Sequence, residues 1–120
     1  MKTILYDKIP KPILRRWKGM EDCLRQITQT LPVEQLLLFG SYSRGEATED
    51  SDVDLCVITP AAESQMAAAR TIRKALWAVH ACPPLTLLPI TPERLREKKG
   101  MNDPFIEDIL LDGIPLLNEN

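Results

Sequence analysis

Gly40-Ser41 is followed by Arg44-Gly45 and then, after Glu46 to Asp50, by Ser51-Asp52-Val53-Asp54-Leu55. A small-residue turn therefore stands next to two carboxylates one residue apart. Glycine lets backbone approach a ligand with no Cβ in the way, and the Ser41 hydroxyl and the turn amides can donate to phosphate oxygens. A carboxylate pair suits magnesium, which takes one or two carboxylates from protein and keeps its other positions for water and substrate phosphates. Asp52 and Asp54 are thus candidate metal ligands and catalytic groups. Gly40, Ser41 and Arg44 are candidate nucleotide-binding groups. Arg44 has two readings, a planar donor fork for phosphate or a tie from the turn to Glu46 or Asp50. If Ser43 to Glu46 open a short helix, its positive end adds to the site. A Walker-type loop is excluded, because no Gly-Lys-Ser/Thr follows the glycines.

Two strands must hold these groups. Leu36-Leu37-Leu38-Phe39 is a short apolar run stopped by Gly40, as expected of a strand buried on both faces. Val53 to Ile58 is a second β-rich run. Residues two apart on a strand share a face, about 6.5 to 7 Å apart, so Asp52 and Asp54 are expected to aim the same way.

Upstream, Ile13, Leu14, Trp17, Met20, Leu24, Ile27 and Leu31 recur at three- and four-residue steps, predicting one amphipathic helix ended by Pro32. Downstream, Thr59-Pro60 is expected to start a long helix with an apolar stripe of Met66, Ala69, Ile72, Leu76 and Val79, stopped by Pro83-Pro84. Leu85 to Ile90 is a third strand, placed at an edge or strand end by Pro89 and open to extension by another chain. Pro92 to Lys99 and Pro104 to Leu111 read as short helices, and Ile114 to Leu117 as a strand closing the sheet. Trp17 and Trp77 are expected in the core. His80 is expected at the surface or as a cap.

These residues resemble the minimal nucleotidyltransferases of the DNA polymerase beta-like superfamily, whose signature of Gly-Ser, Arg-Gly and Ser-Asp-x-Asp-Leu is present here as Gly40-Ser41, Arg44-Gly45 and Ser51 to Leu55. Leu85 to Leu95, with Thr91-Pro92-Glu93, looks like the family's third strand and its trailing turn. Phe105 to Ile109 and Asp112-Gly113-Ile114 look like its closing helix and strand. The resemblance implies a polymerase beta-like α/β (α+β) fold, a small mixed sheet with helices packed on it. It implies magnesium-dependent transfer of a nucleoside monophosphate, AMP from ATP first, to a hydroxyl of a protein or small molecule. Gly40 and Ser41 would hold the triphosphate, and Asp52 and Asp54 the metal. A helical HEPN-type partner, in a toxin–antitoxin pair, or a homo-oligomer would cover the acceptor side. The family's third acid falls at Thr86, a weak magnesium ligand and no proton acceptor. That departure supports an alternative reading, a nucleotide- or partner-binding module with little turnover. Aminoglycoside modification is a third, weaker option, since no acceptor domain is evident.

The 120 residues are expected to form a single domain, with an acceptor site that is shallow or shared. A net charge of −2 argues against a nucleic-acid partner. Charge is uneven, however, with Lys2 to Lys18 basic and Asp103 to Glu119 acidic. Cys23, Cys56 and Cys82, odd in number and widely spaced, are expected to be reduced packing residues. No apolar run suits a membrane span and no signal-peptide core follows Met1, so a cytoplasmic location is expected.

Overall fold

The computed structural model describes residues 2–118. A four-stranded sheet is built from β1 (Gln35–Phe39), β2 (Val53–Ile58), β3 (Leu85–Ile90) and β4 (Ile114–Pro115) in the order β3-β2-β1-β4. β1 runs antiparallel to β2 and to β4, and β2 runs parallel to β3. The sheet is mixed, as expected. Its helices are α1 (Lys11–Arg16), α2 (Met20–Thr30), α3 (Ser41–Arg44), α4 (Gln65–Leu76), α5 (Pro92–Gly100) and α6 (Pro104–Asp112).

Every residue of β1 is buried, because helices cover both faces of the sheet. Leu36, Leu38, Val53, Leu55, Val57 and Leu85 point one way, into a core with Ile13, Met20, Leu24, Ile27 and Ile72. Leu37, Phe39, Cys56 and Ile90 point the other way and meet Ile106 and Ile109. The alternation of side chains along each strand divides these sets.

Several boundaries differ from the sequence expectation. The helix predicted across Ile13 to Leu31 is broken at Trp17-Lys18-Gly19 into α1 and α2. Gly19 donates its N–H to the Ala81 carbonyl at 3.1 Å, and a Cβ there would lie 1.9 Å from the His80 carbonyl oxygen. Backbone contact with the segment before β3 therefore overrides helical periodicity. Thr59-Pro60 does not open α4. The Thr59 hydroxyl instead donates to the Pro32 carbonyl and accepts from the Ala61 amide, and Ser64 caps the helix by accepting from the Ala67 amide. The buried stripe of α4 is Ala68 and Ile72, with Met66 exposed.

Trp17 packs against the core, edge-on to Tyr42 with ring centroids 6.1 Å apart. Trp77, by contrast, is 81% exposed. His80 is exposed, in the turn after α4. Cys23 and Cys82 form a disulfide with their Cα atoms 6.2 Å apart, correcting the expectation of reduced packing residues; Cys56 alone is free and buried. A pairing across 59 residues leaves no spacing motif to detect. By chain entropy a closed loop of that length stabilises the fold by about 4 kcal/mol.

β3 is an edge strand, as Pro89 suggested, but the edge is guarded. Val53 N–H donates to the Pro84 carbonyl (2.9 Å) and Thr59 N–H to the Ile90 carbonyl (3.0 Å), so by alternation the peptide groups of Leu85, Leu87 and Pro89 face outward. Pro89 has no N–H to offer. α4 reaches over the rest, with Arg73 donating to the Leu85 carbonyl at 3.1 Å and Gln65 Nε2 to the Pro89 carbonyl at 2.8 Å. Extension of this edge by another chain is correspondingly disfavoured.

The opposite side of the sheet is closed by a buried amide. Gln35 Nε2 donates to the Leu117 carbonyl at 3.1 Å, while Oε1 accepts from the Leu117 and Leu36 amides at 2.9 and 3.0 Å. Gln35→Leu leaves both Leu117 groups buried without this partner, at an expected cost of about 1–3 kcal/mol. A lower urea midpoint with unchanged slope is the expected result; an unchanged midpoint would show that Gln35 does not hold the C-terminal segment.

Candidate active site

β1 ends at Phe39, which pairs with Asp54 on β2. The chain must turn there, directly beside that carboxylate. Gly40 does so at φ +79°, a backbone region that side-chain-bearing residues rarely enter. A Cβ on Gly40 would fall 2.0 Å from Asp54 Oδ2. Conformation and space thus both demand glycine at this position.

After Gly40 the chain enters α3, which starts at Ser41, two residues earlier than the short helix considered from sequence. The amides of Ser43 and Arg44 donate back to the Gly40 carbonyl. Those of Ser41 and Tyr42 occupy the first turn, where a helix has no acceptor of its own. Gly45, at φ +73°, ends the helix in the left-handed conformation, and Glu46 N–H closes onto the Ser41 carbonyl at 2.9 Å. The Arg-Gly pair is therefore a helix stop with a cation on its last turn.

The loop returning to β2 is held by Ser51, whose Oγ accepts from the Thr48 amide at 2.9 Å and whose N–H donates to the Thr48 carbonyl at 3.1 Å. Asp52 stands at the mouth of β2 and Asp54 lies within it. Thr86 on β3 pairs with Asp54 and donates its hydroxyl to Asp52 Oδ2 at 3.2 Å. The structure thus brings together Gly40, Asp52, Asp54 and Thr86 at one rim of the sheet. Burial pushes the Asp54 carboxyl above its ordinary value, and the neighbouring Asp52 charge acts in the same sense; the Thr86 hydroxyl and Arg44 pull it partly back.

Arg44 realises the first of its two expected ties, with Nε 3.2 Å from Glu46 Oε2, and its guanidinium also lies 3.9 Å from Asp112 Oδ2 of α6. Both pairs are partly solvated, which keeps Arg44 exchangeable. Arg44 and Asp54 line a cleft of about 230 Å³ whose far wall is α6, through Phe105, Asp108 and Asp112. A larger cleft of about 570 Å³ lies at the other ends of β2 and β3, lined by Glu63, Gln65, Thr91 and Arg94. It contains neither aspartate.

Two positioning residues escape a reading of the motif. Arg16 of α1 donates to the Tyr42 hydroxyl at 2.6 Å and to the Thr48 carbonyl at 2.8 Å, bracing α3 and the returning loop together. Tyr42, inside the motif, is buried beside Trp17. The basic run near the start of the chain contained this arginine, but only the packing of α1 distinguishes it from its neighbours. Asp108 and Asp112 reach the cleft because α6 covers that face, which no spacing in the sequence announces.

The donor set fits a divalent cation that shares its ligands with substrate. Two carboxylates converge, and only oxygen is offered, the chemistry magnesium prefers. Among the described residues no three His, Cys, Asp or Glu side chains form a ready-made cage, so further ligands would come from phosphate and water.

Comparison with known proteins bears on the family and the fold. The family described as nucleotidyltransferase domain matches residues 19–116. A curated relative from Methanocaldococcus jannaschii, described as a "putative protein adenylyltransferase", is 43% identical over 47 residues, covering 39% of this chain and 41% of the relative. The match therefore spans about two fifths of that protein's length. Among solved structures, one described as a "putative nucleotidyltransferase" from Sulfolobus solfataricus superposes with a TM-score of 0.53 at 14% identity, covering 90% of this chain and 85% of the other, a likeness of fold. With a family match over most of its length and a paired-aspartate rim built on the same kind of sheet, this chain belongs to the nucleotidyltransferase domain family.

Proposed function

We propose that this chain transfers a nucleoside monophosphate, AMP from ATP, to a hydroxyl of a protein or small molecule, with magnesium held by Asp52 and Asp54. The observation that carries this reading is the contact between the Gly40 backbone and the Asp54 carboxylate. A triphosphate laid on the Gly40-Ser41 turn is then adjacent to the paired acids. The curated relative, described as an adenylyltransferase acting on protein, favours ATP and a protein acceptor.

In this reading the Ser41 hydroxyl and the first-turn amides of α3 bind the phosphates beyond the bond to be broken, and Arg44 swings from Glu46 to phosphate. Asp52 and Asp54 would hold the magnesium ion, which when bound would supply charge neutralisation for the phosphates and the departing pyrophosphate. The acceptor oxygen forms its bond to the α-phosphorus as the bond to pyrophosphate breaks, and the acceptor hydroxyl gives its proton to solvent water at the open rim. Thr86 cannot take that proton, having no basic oxygen at neutral pH. Turnover is therefore slow, and a partner chain, a HEPN-type helical protein or a second copy, supplies the acceptor side. A second reading, a module that binds nucleotide or partner without turnover, is favoured by Thr86 alone.

Magnesium with ATP at 100 times the dissociation constant is expected to stabilise the fold by about 2.7 kcal/mol. Asp52→Asn and Asp54→Asn each remove the magnesium-dependent part. Equal thermal shifts in wild type and both variants would rule these residues out as ligands.

Without metal, Asp54 works against stability. Because its folded carboxyl binds protons more tightly than the unfolded one, stability falls as pH rises from the ordinary carboxylate value through the raised one, and is level above it. Asp54→Asn removes that fall. In EDTA at neutral pH the variant is expected to melt above wild type while losing the magnesium response. A lower melting temperature for the variant in EDTA would contradict an unfavourably buried carboxylate.

Thr86→Asp places a third carboxylate beside Asp52 and Asp54. Pyrophosphate release is expected to rise about tenfold or more, short of the full 10²–10⁴ of a well-positioned base. Repulsion among the three acids should lower the melting temperature in EDTA. If release is unchanged in this variant but abolished in Asp54→Asn, the missing acid does not limit the reaction.

A further inference from the structure

The two cysteines of the Cys23–Cys82 bridge are unequally exposed. Cys23 is fully buried. Cys82 is half-buried and lines an open cleft of about 260 Å³ with Arg73, Trp77 and Pro84. Thiol–disulfide exchange begins with a thiolate reaching one sulfur, and the rate depends on access. Of the two residues only Cys82 reaches the surface, and Arg73 on the same cleft favours an anionic attacker. Cys56 is no competitor, since it is fully buried within the sheet.

The bridge also sits at a sensitive place. It ties α2 to the connection between α4 and β3, where Ala81 is held at φ +57°, a left-handed conformation uncommon for alanine. Two residues after Cys82, the Pro84 carbonyl accepts from Val53 N–H, and Val53 lies between the paired aspartates. Thr86, two residues further on, bonds Asp52. The connection therefore positions the entry of β3 against the rim that carries the acids.

We propose that Cys82 is a thiol-exchange site for a small anionic thiol of the glutathione class, and that opening the bridge loosens the rim. The small thiolate attacks Cys82 Sγ, the sulfur–sulfur bond breaks, and Cys23 leaves as a thiolate that takes up a proton. A mixed disulfide remains on Cys82. A second small thiolate attacks the small-molecule sulfur of that mixed disulfide and releases Cys82 as a thiol. The net change converts one protein disulfide and two small thiols into two protein thiols and one small-molecule disulfide.

The full chain, purified without reductant, is incubated with reduced glutathione, quenched in acid, denatured, alkylated with N-ethylmaleimide and mapped by mass spectrometry. Glutathione on Cys82, with maleimide on Cys23 and Cys56, is the expected result. Glutathione on Cys23 or Cys56, or three free thiols before any thiol is added, overturns the proposal. A Cys23→Ser variant leaves the Cys82 thiol in its cleft and should take up glutathione from oxidised glutathione. No uptake would show that the cleft does not present this sulfur. The coupling to the rim rests on the nucleotide-binding reading and is measured separately, by titrating bridged and reduced protein with magnesium and ATP. Reduction is expected to weaken binding about fivefold, reversibly on reoxidation. Equal affinities refute the coupling. Binding in neither form refutes the coupling together with the nucleotide reading, and the adduct map then still decides the exchange site by itself.

Discussion

The antiparallel pairing of β1 with β2 is the constraint on which the site depends. It sets Phe39 opposite Asp54, so the residue after Phe39 has to turn within touching distance of a carboxylate. Only glycine satisfies both the positive φ and the 2.0 Å that a Cβ would leave. The Gly40-Ser41 turn and the acidic pair are thus two consequences of one strand register. A slip by a single residue would carry Asp54 to the opposite face, into the core of Leu55 and Val57.

Holding that register takes burial on both faces. β1 contributes alternate residues to two separate apolar clusters, so neither face can be exposed without loss of core. Gln35 at the start of β1 adds directional bonds to the C-terminal segment. At the far side, Pro89, Arg73 and Gln65 satisfy or remove much of the hydrogen-bonding capacity of the β3 edge. The sheet is thereby finished at both ends, while the rim bearing Asp52, Asp54 and Thr86 stays open to solvent and ligand.

The proposed function and stability pull in different directions at that rim. Desolvation and the proximity of Asp52 both disfavour the Asp54 anion, yet a cation site needs two adjacent carboxylates. The Thr86 hydroxyl and Arg44 relieve part of the repulsion. A hydroxyl at position 86 costs less than a third acid when metal is absent. In the proposed reaction it also leaves position 86 without a group to accept the proton.

The sequence by itself determined the strands at Leu36 to Phe39, Val53 to Ile58 and Leu85 to Ile90, and the adjacency of the Gly-Ser turn to the aspartates, because these follow from local periodicity, glycine and short connections. The resemblance of the third strand also drew attention to Thr86, which the structure sets opposite Asp54. Tertiary structure decided the rest. The break at Gly19 and the late start of α4 arise from contacts with residues distant in sequence, against which helical propensity is a weak preference. Trp77 is exposed, although core packing was expected of a tryptophan on a helix face, because α4 meets the sheet through the smaller Ala68 and Ile72. The brace from Arg16 to Tyr42, the α6 wall of the cleft and the Cys23–Cys82 bridge all join segments well separated along the chain. No local pattern encodes such pairings, since they exist only once the helices have packed on the sheet.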